Sequence, residues 1–162
     1  MNMERINRIC AHPLWRESVE QIGILEQDWR FCRHDIAHFL DTARIAYIEN
    51  LERGLGISKE QIYAAALLHD IGRHLQYREG IPHHRGSAML ARRILTECGF
   101  DAAESDAVLS AIRQHRNPEA RFGENLAGLI FRADKQSRNC LFCSASEECS
   151  WSDDKKNLIL TV

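Results

Sequence analysis

Proline is scarce in this chain, three residues in 162, and aromatic side chains make up only 7% of it. No segment sustains apolar/polar alternation, no β-branched run is bounded by turn residues, and no Asn-Gly pair marks a hairpin. Those absences argue against a β-sheet and leave helices as the building material. No apolar run approaches the ~20 residues of a membrane span, and the residues after Met1 lead into no signal-like stretch. A cytoplasmic protein with no membrane partner is therefore expected. Net charge is −2 with both signs interspersed, so general nucleic-acid binding is not expected either.

What is present is helical periodicity in a chain of one-domain length. Leu14, Trp15, Val19, Ile22, Leu25 and Trp29 recur at three- and four-residue steps and predict a first helix. A second opens at Arg33-His34-Asp35 and carries Ile36, Phe39, Leu40, Ala43, Tyr47 and Leu51, with His34 and His38 one turn apart, until Gly54 and Gly56 end it. Ser58-Lys59-Glu60-Gln61 has the form of a capping box and starts a third helix. Arg73 to Gly80, followed by Pro82, reads as a loop, and His83 then opens a fourth helix with Ala88, Ala91, Ile94, Leu95 and Cys98 inward. Asp101 and Glu104 cap a fifth, whose Val108, Ala111 and Ile112 lead in step to His115. A sixth carries Leu126, Leu129, Ile130 and Ala133, with Asp134 on the same stripe. The expected fold is all-α, a compact single-domain bundle of about six main helices.

The chemistry centres on Ala64-Ala65-Ala66-Leu67-Leu68-His69-Asp70-Ile71-Gly72-Arg73, an apolar run that ends in an imidazole beside a carboxylate. A helix with no solvated face lies in the middle of a domain, and a carboxylate carried there needs a partner charge. One reading is a hydrogen-bonded core pair; the other is a transition metal, for which neutral His nitrogen and Asp oxygen are ordinary ligands. His38, His115 and Asp134 also fall on core-facing positions of separate helices, and His83 or the adjacent His84 on the first turn of another. Convergence of so many ligand types favours one or two metals with open positions for water.

The order His38, then His69-Asp70, then Asp134 within Arg132-Ala133-Asp134-Lys135, resembles the HD-domain superfamily of metal-dependent phosphohydrolases over roughly residues 30–138. His83 with Ser87-Ala88, and His115 at the end of Ala111-Ile112-Arg113-Gln114, look like the extra histidines of a two-metal subset that includes bacterial diadenosine-tetraphosphate hydrolases. The resemblance implies an HD-type metal-binding domain over residues 1–138 and a Cys-rich tail, 139–162, packed on it. It implies a phosphohydrolase with His38, His69, Asp70, His83, His115 and Asp134 as ligands of iron, manganese or zinc, and Asp70 as the bridge. Asp70, Arg73 and Lys135 are then the candidate catalytic groups, and His34, Arg85, Arg113 and Arg138 the candidate substrate contacts, for a small phosphorylated molecule such as a nucleotide. Two alternatives stay open: a di-iron oxygenase on the same ligands, and a non-catalytic metal-stabilised sensing or binding module.

Six cysteines are many for such a chain, and Cys140, Cys143 and Cys149 are bunched. Three thiols could join a fourth, Cys32 or Cys10, in a zinc site, hold an iron–sulfur cluster, or stay free.

Overall fold

A computed structural model describes residues 2–161, and among them the secondary structure is entirely helical. Eight α-helices follow in order: α1 (Glu4–Ala11), α2 (Pro13–Leu25), α3 (Ile36–Glu52), α4 (Lys59–Leu68), α5 (Arg73–Glu79), α6 (His83–Glu97), α7 (Ala102–Gln114) and α8 (Leu126–Gln136). Two 3-10 turns, Pro118–Phe122 and Cys140–Phe142, complete them. None of these helices is long and apolar enough to cross a membrane.

The axis of the bundle is α4, because nothing after its first two turns wants water. From Ala64 to Gly72 every residue is buried. Around it α3 packs on α4 and α8, α7 packs on α4, α6 and α8, and α1 and α2 close one end. Small side chains at Ala64, Ala65 and Ala66, all fully buried, let these neighbours come close. Phe39, Ile62, Leu67, Leu68, Ile94, Leu95, Leu109, Ile112 and Leu129 fill the space between. Trp15 of α2 reaches in to donate from Nε1 to the Leu67 carbonyl at 2.9 Å, which satisfies both groups in the core. Arg5 of α1 ties the far end together by donating to Glu60 at 2.7 Å and to Glu104 at 2.6 Å, with its guanidinium 4.3 Å from the centre of the Phe100 ring.

The architecture agrees with the helical periodicity, and several boundaries differ from it. The first predicted helix ends at Leu25, short of Trp29, because Glu26 turns inward to meet His34. It begins at Pro13, with His12 accepting from Leu14 as its cap, and a separate helix α1 precedes it. The second starts at Ile36: Asp35 is its cap, accepting from the His38 amide at 2.9 Å, so His34 lies outside the helix. Ser58 makes no capping hydrogen bond, whereas Asp101 and Glu104 form the reciprocal capping box. Arg73 to Glu79, expected as a loop, is the short helix α5. None of its residues is buried, so periodicity could not announce it; packing on α6 and α2 and a left-handed Gly80 at its end hold it.

The crossing of α4's end and α6 is the tightest point of the fold. A Cβ on Gly72 would stand 2.6 Å from both the Gly86 carbonyl carbon and the His83 carbonyl oxygen, with the Ser87 amide closer still. Gly72 also donates its amide to Ser87 Oγ at 2.9 Å. Gly72→Ala is therefore expected to destabilise the protein by about 3 kcal/mol or more, since backbone must move. Gly23→Ala on α2, where a Cβ meets nothing within 4 Å, should instead stabilise by about 0.4–1 kcal/mol. Chemical denaturation of the two variants checks both signs.

Candidate metal centre and substrate cleft

The local run of the backbone delivers each ligand. α4 stops at Leu68, and the turn after it leaves His69 and Asp70 at the buried end of the axis, with 0% and 1% of their surfaces exposed. His38 comes from the first turn of α3, His83 from the first residue of α6, His115 from the end of α7, and Asp134 from the last turn of α8. Two groups result. The donor atoms of His38, His69, Asp70 and Asp134 all lie within 4.8 Å of one another, and so do those of Asp70, His83 and His115.

Asp70 belongs to both. Its Oδ2 faces His69 Nε2 at 3.2 Å and His38 Nε2 at 3.7 Å, while Oδ1 faces His83 Nε2 at 3.3 Å and His115 Nε2 at 3.5 Å. Arg73 adds a contact from Nε to Oδ1 at 3.2 Å.

The outer nitrogen of every ring is held. His69 Nδ1 and His115 Nδ1 lie 2.7 Å from the carbonyl oxygens of Ala66 and Ile112. A carbonyl only accepts, so both Nδ1 atoms carry hydrogen, and in the neutral rings both Nε2 atoms turn lone pairs inward. His83 Nδ1 meets Gln76 Oε1 at 2.6 Å, and His38 Nδ1 meets Ser137 Oγ at 2.9 Å. Inside, Nε2 atoms face each other across 3.1 Å between His83 and His115 and 3.3 Å between His38 and His69. Lone pairs at that distance repel unless a proton, as on a charged His69, or a metal cation sits between them. Asp70 Oδ2 in turn is a buried oxygen with no hydrogen-bond partner. These features fit divalent transition metals, which accept the imidazole lone pairs and offset the carboxylate charge together.

The titration behaviour has the same origin. Burial pushes the His38 and His83 imidazoles down, to about 4 and about 2, so both are neutral near neutral pH. Burial also opposes protonation of His69, but the Asp70 and Asp134 carboxylates outweigh it and raise that group to about 9. Asp70 and Asp134 are held well below the usual carboxylate range, burial being overcome by His69 and by the neighbouring Arg73 and Lys135. Two ionised carboxylates in an apolar core thus demand positive charge from some source.

Over this centre opens a cleft of about 360 Å³ lined by His34, Arg73, Arg116, Lys135 and Arg138, with Phe31, Trp151 and the Cys140 and Cys149 region on its walls. Lys135 pairs with Asp134 Oδ2. Arg138, largely buried, donates to the Arg33 carbonyl at 2.8 Å and points Nη2 at His38 Nε2, 3.3 Å away. His34 Nε2 stands 3.7 Å from Asp70 Oδ2, while its Nδ1 meets Glu26 Oε1 at 2.6 Å. Burial pushes Glu26 up, but His34 and a 2.6 Å hydrogen bond from the Tyr77 hydroxyl outweigh it and keep the carboxyl below its usual range.

Among the residues singled out from sequence, His38, His69, Asp70, His83, His115 and Asp134 come together, and His34, Arg73, Lys135 and Arg138 border the same cleft. His83 is buried in the centre, and His84 is not part of either donor group. Arg85 and Arg113 are exposed on α6 and α7 and do not line the cleft. Sequence reasoning missed Glu26, Tyr77, Gln76 and Ser137, which orient the histidines, and Arg116, which takes the place expected for Arg113. Only Arg116 carried a signal, its adjacency to His115. Cys32 joins Cys140, Cys143 and Cys149 around one small void, whereas Cys10 lies in α1, near Cys98.

Comparison with known proteins agrees with this geometry. The HD domain model matches residues 35–139. An uncharacterised protein of Clostridium beijerinckii is 41% identical over 155 residues, covering 96% of this chain and 97% of its own. Ribonuclease Y of Mesoplasma florum is 23% identical over 129 residues, which is 80% of this chain and 24% of that protein. No solved structure matches. With the domain match spanning most of the bundle and every helix that carries a ligand, the chain belongs to the HD domain family, whose members are generally metal-dependent phosphohydrolases.

Proposed function

We propose that the protein hydrolyses a nucleotide or other phosphate ester or anhydride, using a pair of divalent transition metals that His38, His69, Asp70 and Asp134 on one side and Asp70, His83 and His115 on the other would hold, as in the two-metal branch of the family. The observation that carries this reading is the division of labour within one carboxylate: Oδ2 toward His38 and His69, which group with Asp134, and Oδ1 toward His83 and His115. Imidazole-rich ligation with carboxylates favours iron or manganese over zinc here. When bound, such metals supply a water of lowered pKa and polarise phosphoryl oxygens.

The remaining roles belong to the chain. Arg116, Lys135 and Arg138 line the cleft and complement phosphoryl oxygens, each charge-assisted hydrogen bond contributing about 1.5–3 kcal/mol. Arg73 holds Asp70 in its orientation and presents the rest of its guanidinium to the cleft. Glu26 fixes hydrogen on Nδ1 of His34, which leaves Nε2 beside Asp70 free to take a proton from the reacting centre or return one to a leaving oxygen. Phe31 and Trp151 provide flat apolar walls suited to a base. A larger hollow of about 410 Å³ reaches His34 from behind, but its lining offers Arg33 as the single cation among the described residues, so substrate belongs in the front cleft. A nucleotide substrate is in keeping with a cytoplasmic protein.

The test is phosphate or nucleotide release from a panel of nucleoside mono- and polyphosphates, dinucleoside polyphosphates and a short RNA, with manganese- or iron-loaded protein. Turnover of a small nucleotide supports the reading, and turnover of RNA alone replaces it with a nuclease like the Mesoplasma relative. Oxygen uptake without phosphate release marks an oxygenase, and neither activity marks a binding or sensing module.

Asp70→Ala is expected to lose bound metal and turnover together, and His115→Ala to fall from about two metals per chain to about one, measured by elemental analysis of anaerobically purified protein. His34→Gln, which can still donate to Glu26, should keep its metals yet lower kcat by about 10²–10⁴-fold. Glu26→Gln should give a milder loss, about 10–100-fold.

A further inference from the structure

The segment after α8 has little to hold it in place. Among the described residues beyond Asn139, only Cys140 and Ala145 are buried, while Phe142, Ile159 and Leu160 are 72%, 77% and 81% exposed. Its described residues contain no secondary structure beyond one 3-10 turn. Two small side chains cannot offset the conformational entropy of ordering a stretch of more than 20 residues. Yet the segment follows a defined course. Successive turns close from Cys143 N to the Cys140 carbonyl at 3.2 Å, from Ser146 N to Cys143 at 3.1 Å, and from Cys149 N to Ser146 at 3.4 Å. They curl the chain about a void of about 20 Å³ bordered by Cys140, Cys143, Cys149 and, from the loop before α3, Cys32. All four thiols are unpaired.

We infer that Cys32, Cys140, Cys143 and Cys149 bind one structural Zn²⁺, which bolts the C-terminal segment to the loop before α3 and so fixes one wall of the substrate cleft. Four thiolates are a complete tetrahedral set for zinc and leave no open position for water. The void is little larger than the ~10–15 Å³ that one water occupies on the same measure, so it admits an ion and has no room for the irons and sulfides of a cluster. Four thiolates around Zn²⁺ leave a net negative charge, and Lys156, half-buried and paired through Nζ with Asp153 at 3.0 Å, also lines the void. Burial raises the Cys32 thiol above its usual range, and the neighbouring Arg138 guanidinium offsets part of that rise. Among the described residues, the groups whose donors all come within 4.8 Å are the two His/Asp sets. The thiols therefore have to rotate inward from the walls as the ion binds.

The consequence for the cleft is direct. Cys32 follows Phe31, Cys149 precedes Ser150 and Trp151, and all of these line the cleft with Arg138. Arg30 and Glu148 pair across the same junction, and Asn157 donates to the carbonyls of Lys135 and Arg138 at 2.7 Å each. Zinc at the junction would set the spacing of Phe31 and Trp151 without touching the reacting atoms. The site stands independently of the reaction proposed above.

Full-length protein, expressed with iron or manganese available for the His/Asp centre and purified without chelator, should carry one zinc per chain by elemental analysis. Titration with p-hydroxymercuribenzoate should release that zinc as four thiols are capped, leaving the iron or manganese bound. Cys140→Ser with Cys143→Ser should lose the zinc and keep the other metal, and Cys10→Ser with Cys98→Ser should lose neither. If the first double variant fails to fold, Co²⁺ in the wild-type protein decides the matter through the intense visible absorption and thiolate charge-transfer bands of a tetrahedral sulfur site. Zinc absent from the wild type with four freely reactive thiols, zinc retained in the Cys140/Cys143 variant, no thiolate bands with Co²⁺, or an iron–sulfur chromophore would each overturn the inference.

Discussion

The rest of the structure depends on one buried carboxylate. Asp70 lies at the end of the most apolar helix of the chain, 1% exposed, with an oxygen that no hydrogen bond reaches. An uncompensated ion in such a place costs several kcal/mol, comparable with the whole stability of a domain. Helices α3, α6 and α7 answer that cost by each beginning or ending with a histidine against it, while α8 brings the second carboxylate, Asp134, into the same group. The bundle can be understood as a shell of helix termini built to make one polar point tolerable. That arrangement also explains why the axis is alanine-rich: close approach of four neighbours is needed for their short His and Asp side chains to reach a common centre.

Orientation is achieved by the backbone as much as by side chains. The carbonyls of Ala66 and Ile112 belong to the last turns of α4 and α7 and lack intrahelical partners there, so they are free to hold the Nδ1 hydrogens of His69 and His115. A helix end thus solves two problems, its own unsatisfied carbonyls and the tautomer of the ligand that follows. His83 and His38 begin their helices and find no such carbonyl, and Gln76 and Ser137 from neighbouring helices take that role. The short helix α5 has its reason here: it carries Arg73, Gln76 and Tyr77 to the centre from a segment that buries nothing of its own.

Charge is graded outward from this point. The core holds two ionised carboxylates, the rim holds Arg73, Arg116, Lys135 and Arg138, and beyond it lie the aromatic side chains Phe31 and Trp151. An anion entering the cleft meets cations before it meets the buried negative charge. The Glu26–His34 pair sits between the two zones, with Glu26 itself only 1% exposed.

Much of this was legible along the chain, because helix periodicity and ligand type are local properties. The apolar run at residues 64–68, the core-facing phase of His38, His115 and Asp134, and the His69-Asp70 pair each follow from side-chain pattern and helix geometry alone, and they determined the all-α class and marked the candidate ligands. What the sequence could not settle lies in contacts between distant segments. His34 looked like a helical residue one turn before His38, until the Asp35 cap and the pull of Glu26 placed it in a loop facing Asp70. Arg113 and Arg116 differ by three residues, yet only the one beyond the end of α7 turns into the cleft, while the other stays on the helix's exposed face. Glu26 and Gln76 carry no motif at all, since an orienting residue needs only to be near in space. Cys32 met the tail thiols, and Cys10 did not, because only the loop before α3 passes beneath the C-terminal segment. Side-chain phase is written in single helices; the meeting of loops and tails is decided when those helices pack.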